Sequence, residues 1–269
     1  MTRTASLGMY DMPWLHGAND ALWAGIAARL RAAGMTDVPE TLDRGRPLGE
    51  IWRDPGLLLA QTCGYPLMTQ LHGDVIPIAA PVYGWPGCEA ATHRSFIVVS
   101  AASRFAALAD LRGRPAAING WDSNSGMNLF RHAVAKLAGG GAFFSEIVVT
   151  GGHPASLEHV ANGEADVAAV DCVTFALVWR HRPELVEGVR MIAETAASPV
   201  LPFVTRAGDS TGEIAALRDA LTGAIADPAN RESVEALGLR GVEPVTREDY
   251  TVVLDLERAA ADRGYPVLR

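Results

Sequence analysis

The chain has 269 residues, 49% hydrophobic and 20% charged, enough to bury the core of one large or two small domains. Its net charge of −8 argues against binding nucleic acid or an acidic membrane surface, both of which need a basic face. No apolar run approaches the roughly 18 residues of a membrane span, and the composition is not that of collagen, a coiled coil or a disordered tail.

At the start, Arg3 is followed by Thr-Ala-Ser-Leu-Gly-Met-Tyr before Asp11 and Pro13 end the run. That falls short of the about 7–15 apolar residues of an export signal. As written, the sequence reads as cytoplasmic, or as periplasmic in a mature form whose signal has been removed. Ser6 to Tyr10 reads as a first strand. Asn19 reads as an N-cap, and Leu22, Ile26 and Leu30 then recur at helical spacing until Gly34 closes the helix. Leu57 to Gln61 and Val75 to Ala79 are apolar runs of strand length, and Phe96 to Val99 reads as a strand buried on both faces.

The middle of the chain repeats one unit three times. Strands at Pro115–Asn119, Ile147–Thr150 and Ala165–Val170 are each followed by a helix, at 126–137, 154–162 and 172–181. A further strand is expected at 190–193, another at 201–205, a helix at 212–225 and a last helix over 247–263. Such alternation predicts βαβ units and a parallel sheet. The expected fold class is α/β in two lobes, each a mostly parallel sheet flanked by helices. Residues 1–98 with 199–269 form one lobe and 99–198 the other, with hinge segments near 97–101 and 195–200.

Three cysteines are too few for a disulfide scaffold. Cys63 and Cys88 are candidates for a single bridge that leaves Cys172 over. Free buried thiols in a reducing compartment fit the spacing equally well.

In open α/β sheets, ligands bind beyond the carboxyl ends of the strands, so each strand-to-helix loop is informative. The first runs Asn119-Gly120-Trp121-Asp122-Ser123-Asn124-Ser125-Gly126. Its small residues permit close backbone approach, and amide groups at a helix start attract an anion. The same residues would also serve simply to cap a helix. The second, Gly151-Gly152-His153, offers a donor for an oxyanion, or a structural histidine. The third begins with Asp171, which fits a ligand ammonium or hydroxyl, or a helix cap. In the other lobe, Tyr10 and Tyr65 combine an apolar wall with a hydroxyl, and either could line an interlobe cleft.

These pieces resemble the phosphate/phosphite/phosphonate-binding proteins of ABC importers. The resemblance is carried by Cys63-Gly64-Tyr65-Pro66-Leu67, by Ala117-Ile118-Asn119 with Asp122-Ser123-Asn124-Ser125-Gly126, by Gly151-Gly152-His153 with Ser156, and by Gly163 to Asp171. It implies a type 2 periplasmic-binding-protein fold and capture of a small oxyanion. Ser123, Asn124, Ser125 and Gly126 would grip the oxygens, His153 would add a donor, Asp171 would hold a ligand amine, and Tyr10 or Tyr65 would contribute an aromatic wall. Asn124 stands where a hydroxyl residue is common. The implied partners are a small anionic ligand and an ABC permease with its ATPase, with no nucleic acid and a monomeric state. No His pair has metal spacing and no glycine-rich nucleotide motif is present, so no cofactor is expected. Two other classes fit the same fold: a metabolite sensor, and an enzyme using a Ser125–His153–Asp171 triad. The triad requires Ser125 Oγ within about 2.6–3.2 Å of a His153 nitrogen.

Overall fold

The structure, a computed structural model, describes residues 3–269. From the N-terminus, β1 (Thr4–Ser6) leads through a short turn of 3-10 helix, Pro13–Leu15, into α1 (His16–Ala32). Next come α2 (Leu48–Ile51), β2 (Leu57–Gln61), α3 (Gly64–Thr69), β3 (Val75–Tyr83), β4 (Thr92–His93) and β5 (Ser95–Ser100). The repeating middle comprises β6 (Pro115–Ile118), α4 (Leu129–Ala138), β7 (Glu146–Val149), α5 (His153–Ala161), β8 (Val167–Asp171) and α6 (Cys172–His181). The remainder comprises α7 (Glu184–Glu187), β9 (Val189–Glu194), β10 (Ser198–Pro199), β11 (Phe203–Arg206), α8 (Thr211–Ala226), α9 (Arg231–Leu237), β12 (Leu239–Pro244) and α10 (Thr251–Asp262).

Two compact units result. The first takes the chain up to Gly84, with Glu89–Ala91 and Pro199–Asp249; the second takes Trp85–Cys88, Thr92–Ser198 and Tyr250–Arg269. In the first, the sheet order is β1-β2-β11-β3-β12. β2 is buried along its whole length, as an unbroken Leu-Leu-Leu-Ala run requires. Helix α1 buries Leu22, Trp23, Ile26 and Leu30 and packs on α8. It starts earlier than its sequence suggests: Asn19 is not the cap but a buried residue of the first turns, donating to the Tyr10 carbonyl and to Asp11 Oδ1.

In the second unit the sheet order is β7-β6-β8-β5-β9. The three repeats predicted from sequence appear here, with β6 parallel to both β7 and β8. β5 runs antiparallel to β8 and to β9. The sheets are therefore mixed rather than mostly parallel, and in the first unit only β1 and β2 pair in parallel among the described pairings. Local apolar patterning specifies a strand but not the direction of its neighbour. The division of the chain also differs from expectation. Residues 97–100, expected in a hinge, lie in β5 in the middle of a sheet, and the chain passes between units at 84–92, 198–199 and 249–250. Helix α10, expected with the first lobe, packs on α4 in the second unit, where Tyr250 and Val253 are fully buried.

A buried cation fixes the first strand. Arg3 donates to the Leu57 carbonyl at 3.0 Å, to Asp209 Oδ2 at 3.0 Å and to Glu213 Oε1 at 3.1 Å. The Arg3 and Asp209 side chains are only 7% and 0% exposed, so each needs the other. Burial alone would raise the Asp209 carboxyl, but hydrogen bonds from Thr205, Arg206 and Arg3 outweigh it and hold it below the usual aspartate value. Its stabilisation is thus full above about pH 3.9 and is lost as acid carries the pH down through the lower folded value. Asp209→Ala should cost about 3–5 kcal/mol in denaturant melts at neutral pH, and this deficit should shrink in strong acid. A loss below 1 kcal/mol at pH 7 would contradict the assignment.

Candidate functional site

Because β6, β7 and β8 are adjacent and parallel, their carboxyl ends lie at one edge of the second sheet, and a helix starts beyond each. After β6 the chain forms one turn of π-helix, Asn124–Asn128, that runs on into α4. Such turns are rare and recur at functional sites. Ser123 caps it, its Oγ accepting from Gly126 N at 2.9 Å. The side chain of Asn124 is committed within the unit: its Nδ2 donates to Ser198 Oγ at 2.8 Å and its Oδ1 accepts from Asn128 Nδ2 at 2.9 Å. Asn128 in turn donates to the Val253 carbonyl of α10 and accepts from Arg131, which reaches the Pro266 carbonyl and Glu257. The turn is therefore braced from behind by a buried polar network, while the first amides of a helix start point outward from its end. A side chain at Gly126 would displace its neighbours: a Cβ there would lie 1.9 Å from Asn119 Oδ1 and 3.1 Å from His153 Cε1.

Helix α5 begins at His153 after Gly151, whose φ of +86° is open to glycine at no cost. Gly152 provides no side-chain cap. His153 Nε2 lies 2.9 Å from Ser125 Oγ, joining the loops after β6 and β7. Its Nδ1 is buried and has no hydrogen-bond partner among the described residues. Ser95 Oγ of β5 donates to the Ser125 carbonyl at 2.9 Å, a contact allowed by the register that sets Ser95 opposite Asp171.

Asp171 ends β8 and caps α6, its Oδ1 accepting from Thr174 N at 2.8 Å. Its Oδ2 lies 2.8 Å from Nδ1 of His93, a residue with no exposed surface. His93 is the site residue that the sequence conceals. It sits in a two-residue strand, and its one local signal is its place just before the apolar run of β5.

The charges follow from these contacts. Burial opposes charging His93, but the Asp171 carboxylate outweighs it and holds the imidazole above its usual value. Burial would raise Asp171, yet the charge and hydrogen bond of His93, the nearby His153 and the Thr174 amide together hold it low. His153 is driven by burial down to about 4; Asp171 resists this and the charge at His93 adds to it. The cluster therefore favours a charged His93 against the Asp171 carboxylate, beside a neutral His153.

Of the sequence-predicted residues, Ser123, Asn124, Ser125, Gly126, His153 and Asp171 come together in the second unit. Tyr10 and Tyr65 belong to the first, where Tyr10 packs edge-on to Tyr83 with ring centroids 5.8 Å apart and Tyr65 lies in α3. The proposed bridge is not formed: no disulfide joins Cys63 and Cys88, and Cys88 Sγ instead lies 3.5 Å from Cys172 Sγ. The triad is half present. Ser125 and His153 meet within the required distance, but Asp171 pairs with His93, and His153 lacks the partner at Nδ1 that would orient it as a base.

A cavity in this unit, about 440 Å³, is lined by Phe96, Phe175, Trp179, Met191 and other apolar groups, with Glu187 as its charged member. A carboxylate in an apolar wall repels anions. Among the described residues no cluster suits a metal ion, and no helix is long and apolar enough to cross a membrane.

Comparison with known proteins gives a consistent result. A family model described as the periplasmic substrate-binding protein of a phosphonate ABC transporter matches residues 57–250. No curated protein matched the sequence. Among solved structures, the chain is similar to the binding-protein component of a phosphonate ABC transporter from Pseudomonas aeruginosa, with TM-score 0.80, 16% identity, and coverage of 97% of this chain and 86% of that one. It is similar to a Prochlorococcus marinus protein solved in complex with methylphosphonate, with TM-score 0.73, 14% identity, and coverage of 95% and 96%. A Xanthomonas citri protein solved with ATP bound gives TM-score 0.71 at 16% identity, with 98% of each chain covered.

Solution NMR of the histidine rings should show His153 neutral until the pH approaches about 4, and His93 charged beyond the ordinary histidine midpoint of about 6.5. The two act oppositely on stability. The part tied to His153 is full above about pH 6.5 and drains toward about pH 4, whereas the part tied to His93 is full below about 6.5 and is lost as the pH rises through its higher folded value. A His153 midpoint at or above 6.5 would contradict the arrangement.

Proposed function

Because this chain belongs to the family of periplasmic substrate-binding proteins of phosphonate ABC transporters, we propose that it captures a small phosphorus oxyanion, a phosphonate, phosphite or phosphate, at the strand ends of its second unit. The observation that carries this reading is the Ser125–His153 hydrogen bond, with His153 Nδ1 buried and unpartnered between two helix starts. A buried polar nitrogen without a partner is costly, by about 1–3 kcal/mol, and an oxyanion bound at the helix starts would supply one. Ser125 donates its hydroxyl proton to Nε2 and so fixes the tautomer with the proton on Nδ1, directed to the ligand. The amides of Asn124 and Ser125 and the Ser123 hydroxyl complete the donors, the Gly126 amide being taken by the Ser123 cap. In this reading the protein works as a monomer and passes its ligand to a permease driven by an ATPase.

The capture step needs no positive side chain at the oxyanion. Neutral donors, held rigidly, read the number and direction of acceptor oxygens, and an analogue lacking one leaves a donor unpaired. Calorimetry with phosphate, phosphite and methylphosphonate tests this. At least one should bind, and Ser123→Ala with Ser125→Ala should weaken it by about 10–100-fold, through loss of the Ser123 hydrogen bond to a charged group and of the Ser125 contact that sets the His153 tautomer. Stability should fall by the loss of a helix cap, about 1 kcal/mol, and by the His153 Nε2 left unpaired, about 1–3 kcal/mol. Unchanged affinity in the double variant would remove both serines from the site.

A further inference from the structure

The family resemblance gives the acid after β8 the task of holding a ligand amine, and the structure shows that acid already supplied with a cation. Asp171 is 1% exposed, one oxygen is taken by the Thr174 amide at 2.8 Å, and the other faces His93 Nδ1 at 2.8 Å. His93 comes from β4, a different part of the chain, and is itself fully buried. From this juxtaposition we infer that His93 is a specificity-determining residue that stands in for a ligand ammonium, so that the site takes phosphorus oxyanions whose substituent is uncharged, hydrogen or a short alkyl group, and rejects aminoalkyl ones. The inference rests on the oxyanion reading above and narrows it.

The physical argument is one of charge already balanced. A ligand ammonium entering beside Asp171 would meet an imidazolium buried against the same carboxylate. It would have either to expel a ring with no path to water or to sit next to a like charge in a site where screening is weak. The second alternative leaves the ammonium without a free carboxylate oxygen, since Thr174 N faces one and His93 the other, and the first frees an oxygen only by displacing a fully buried ring. An alkyl group of the same size carries no such requirement.

The test compares ligands matched in size. Wild-type protein is titrated by calorimetry with phosphate, phosphite, methylphosphonate, ethylphosphonate and aminomethylphosphonate at neutral pH, where the amine is charged. Ethylphosphonate should bind at least about tenfold more tightly than aminomethylphosphonate, the ratio that a mismatch of 1.4 kcal/mol gives. In His93→Gln, which removes the resident cation and leaves Asp171 in place, that ratio should fall to near one or invert. Equal or tighter binding of the aminomethyl ligand by the wild type overturns the inference, even if the variant does not fold. So does a folded variant with an unchanged ratio, and so does binding of the smaller anions with exclusion of both larger ones, since size would then be the filter. Failure of every ligand to bind the wild type overturns the oxyanion reading itself.

Discussion

A carboxylate kept from water has to be answered by charge and by hydrogen bonds together, and Asp171 is answered from two parts of the chain at once. The Thr174 amide comes from the helix that Asp171 caps, and the His93 ring from the strand preceding β5. The first is a local cap; the second depends on the antiparallel pairing that sets Ser95 opposite Asp171. Remove either partner and a buried charge is left exposed to a low-dielectric interior. The neighbouring histidine depends on the same pairing. His153 remains neutral because it is buried beside a cation, and its neutrality lets it share a proton with Ser125 rather than repel or attract by net charge.

The result is a polar cluster with little net charge placed among three helix starts. In the proposed role of oxyanion capture this is a workable compromise. A site built from full positive charges would hold any anion and release it slowly; one built from oriented neutral donors discriminates by geometry. The same arrangement explains why a serine and a histidine at hydrogen-bonding distance do not make a hydrolase. The acid that would orient the base is engaged elsewhere, and the family is one of transport.

Much of this was legible in the sequence, and the boundary is instructive. The three strand–helix repeats from Pro115 to His181 were read within a few residues, because buried strands are short apolar runs and the helices between them carry their own periodicity. The same repeats set Ser123, Ser125, His153 and Asp171 at neighbouring strand ends, where the sequence allowed helix capping as well as ligand contact, and Ser123 and Asp171 do cap helices. What escaped depends on long-range pairing. Nothing local marks β5 and β9 as antiparallel neighbours, or α10 as part of the second unit. The Cys63–Cys88 proposal failed similarly, since spacing cannot show that Cys172, far along the chain, is the thiol beside Cys88. His93 went unread because its significance lies entirely in the residue across the sheet from its neighbour. Asn124, noted for standing where a hydroxyl is common, proves to use its amide to hold the turn together.

The bracing of that turn by α10 bears on how the protein is made. Asn128 and Arg131 find their partners at Val253, Glu257 and Pro266, within the last 20 residues of the chain. During synthesis the turn leaves the ribosome long before those partners exist, and contacts of such sequence separation form late. The sheet of the second unit is complete by Glu194, but the turn after β6 gains its rear support only from Val253 onward. The bracing of the turn is thereby tied to a segment more than a hundred residues further along, and a copy cut short before Val253 would present the loop without its brace.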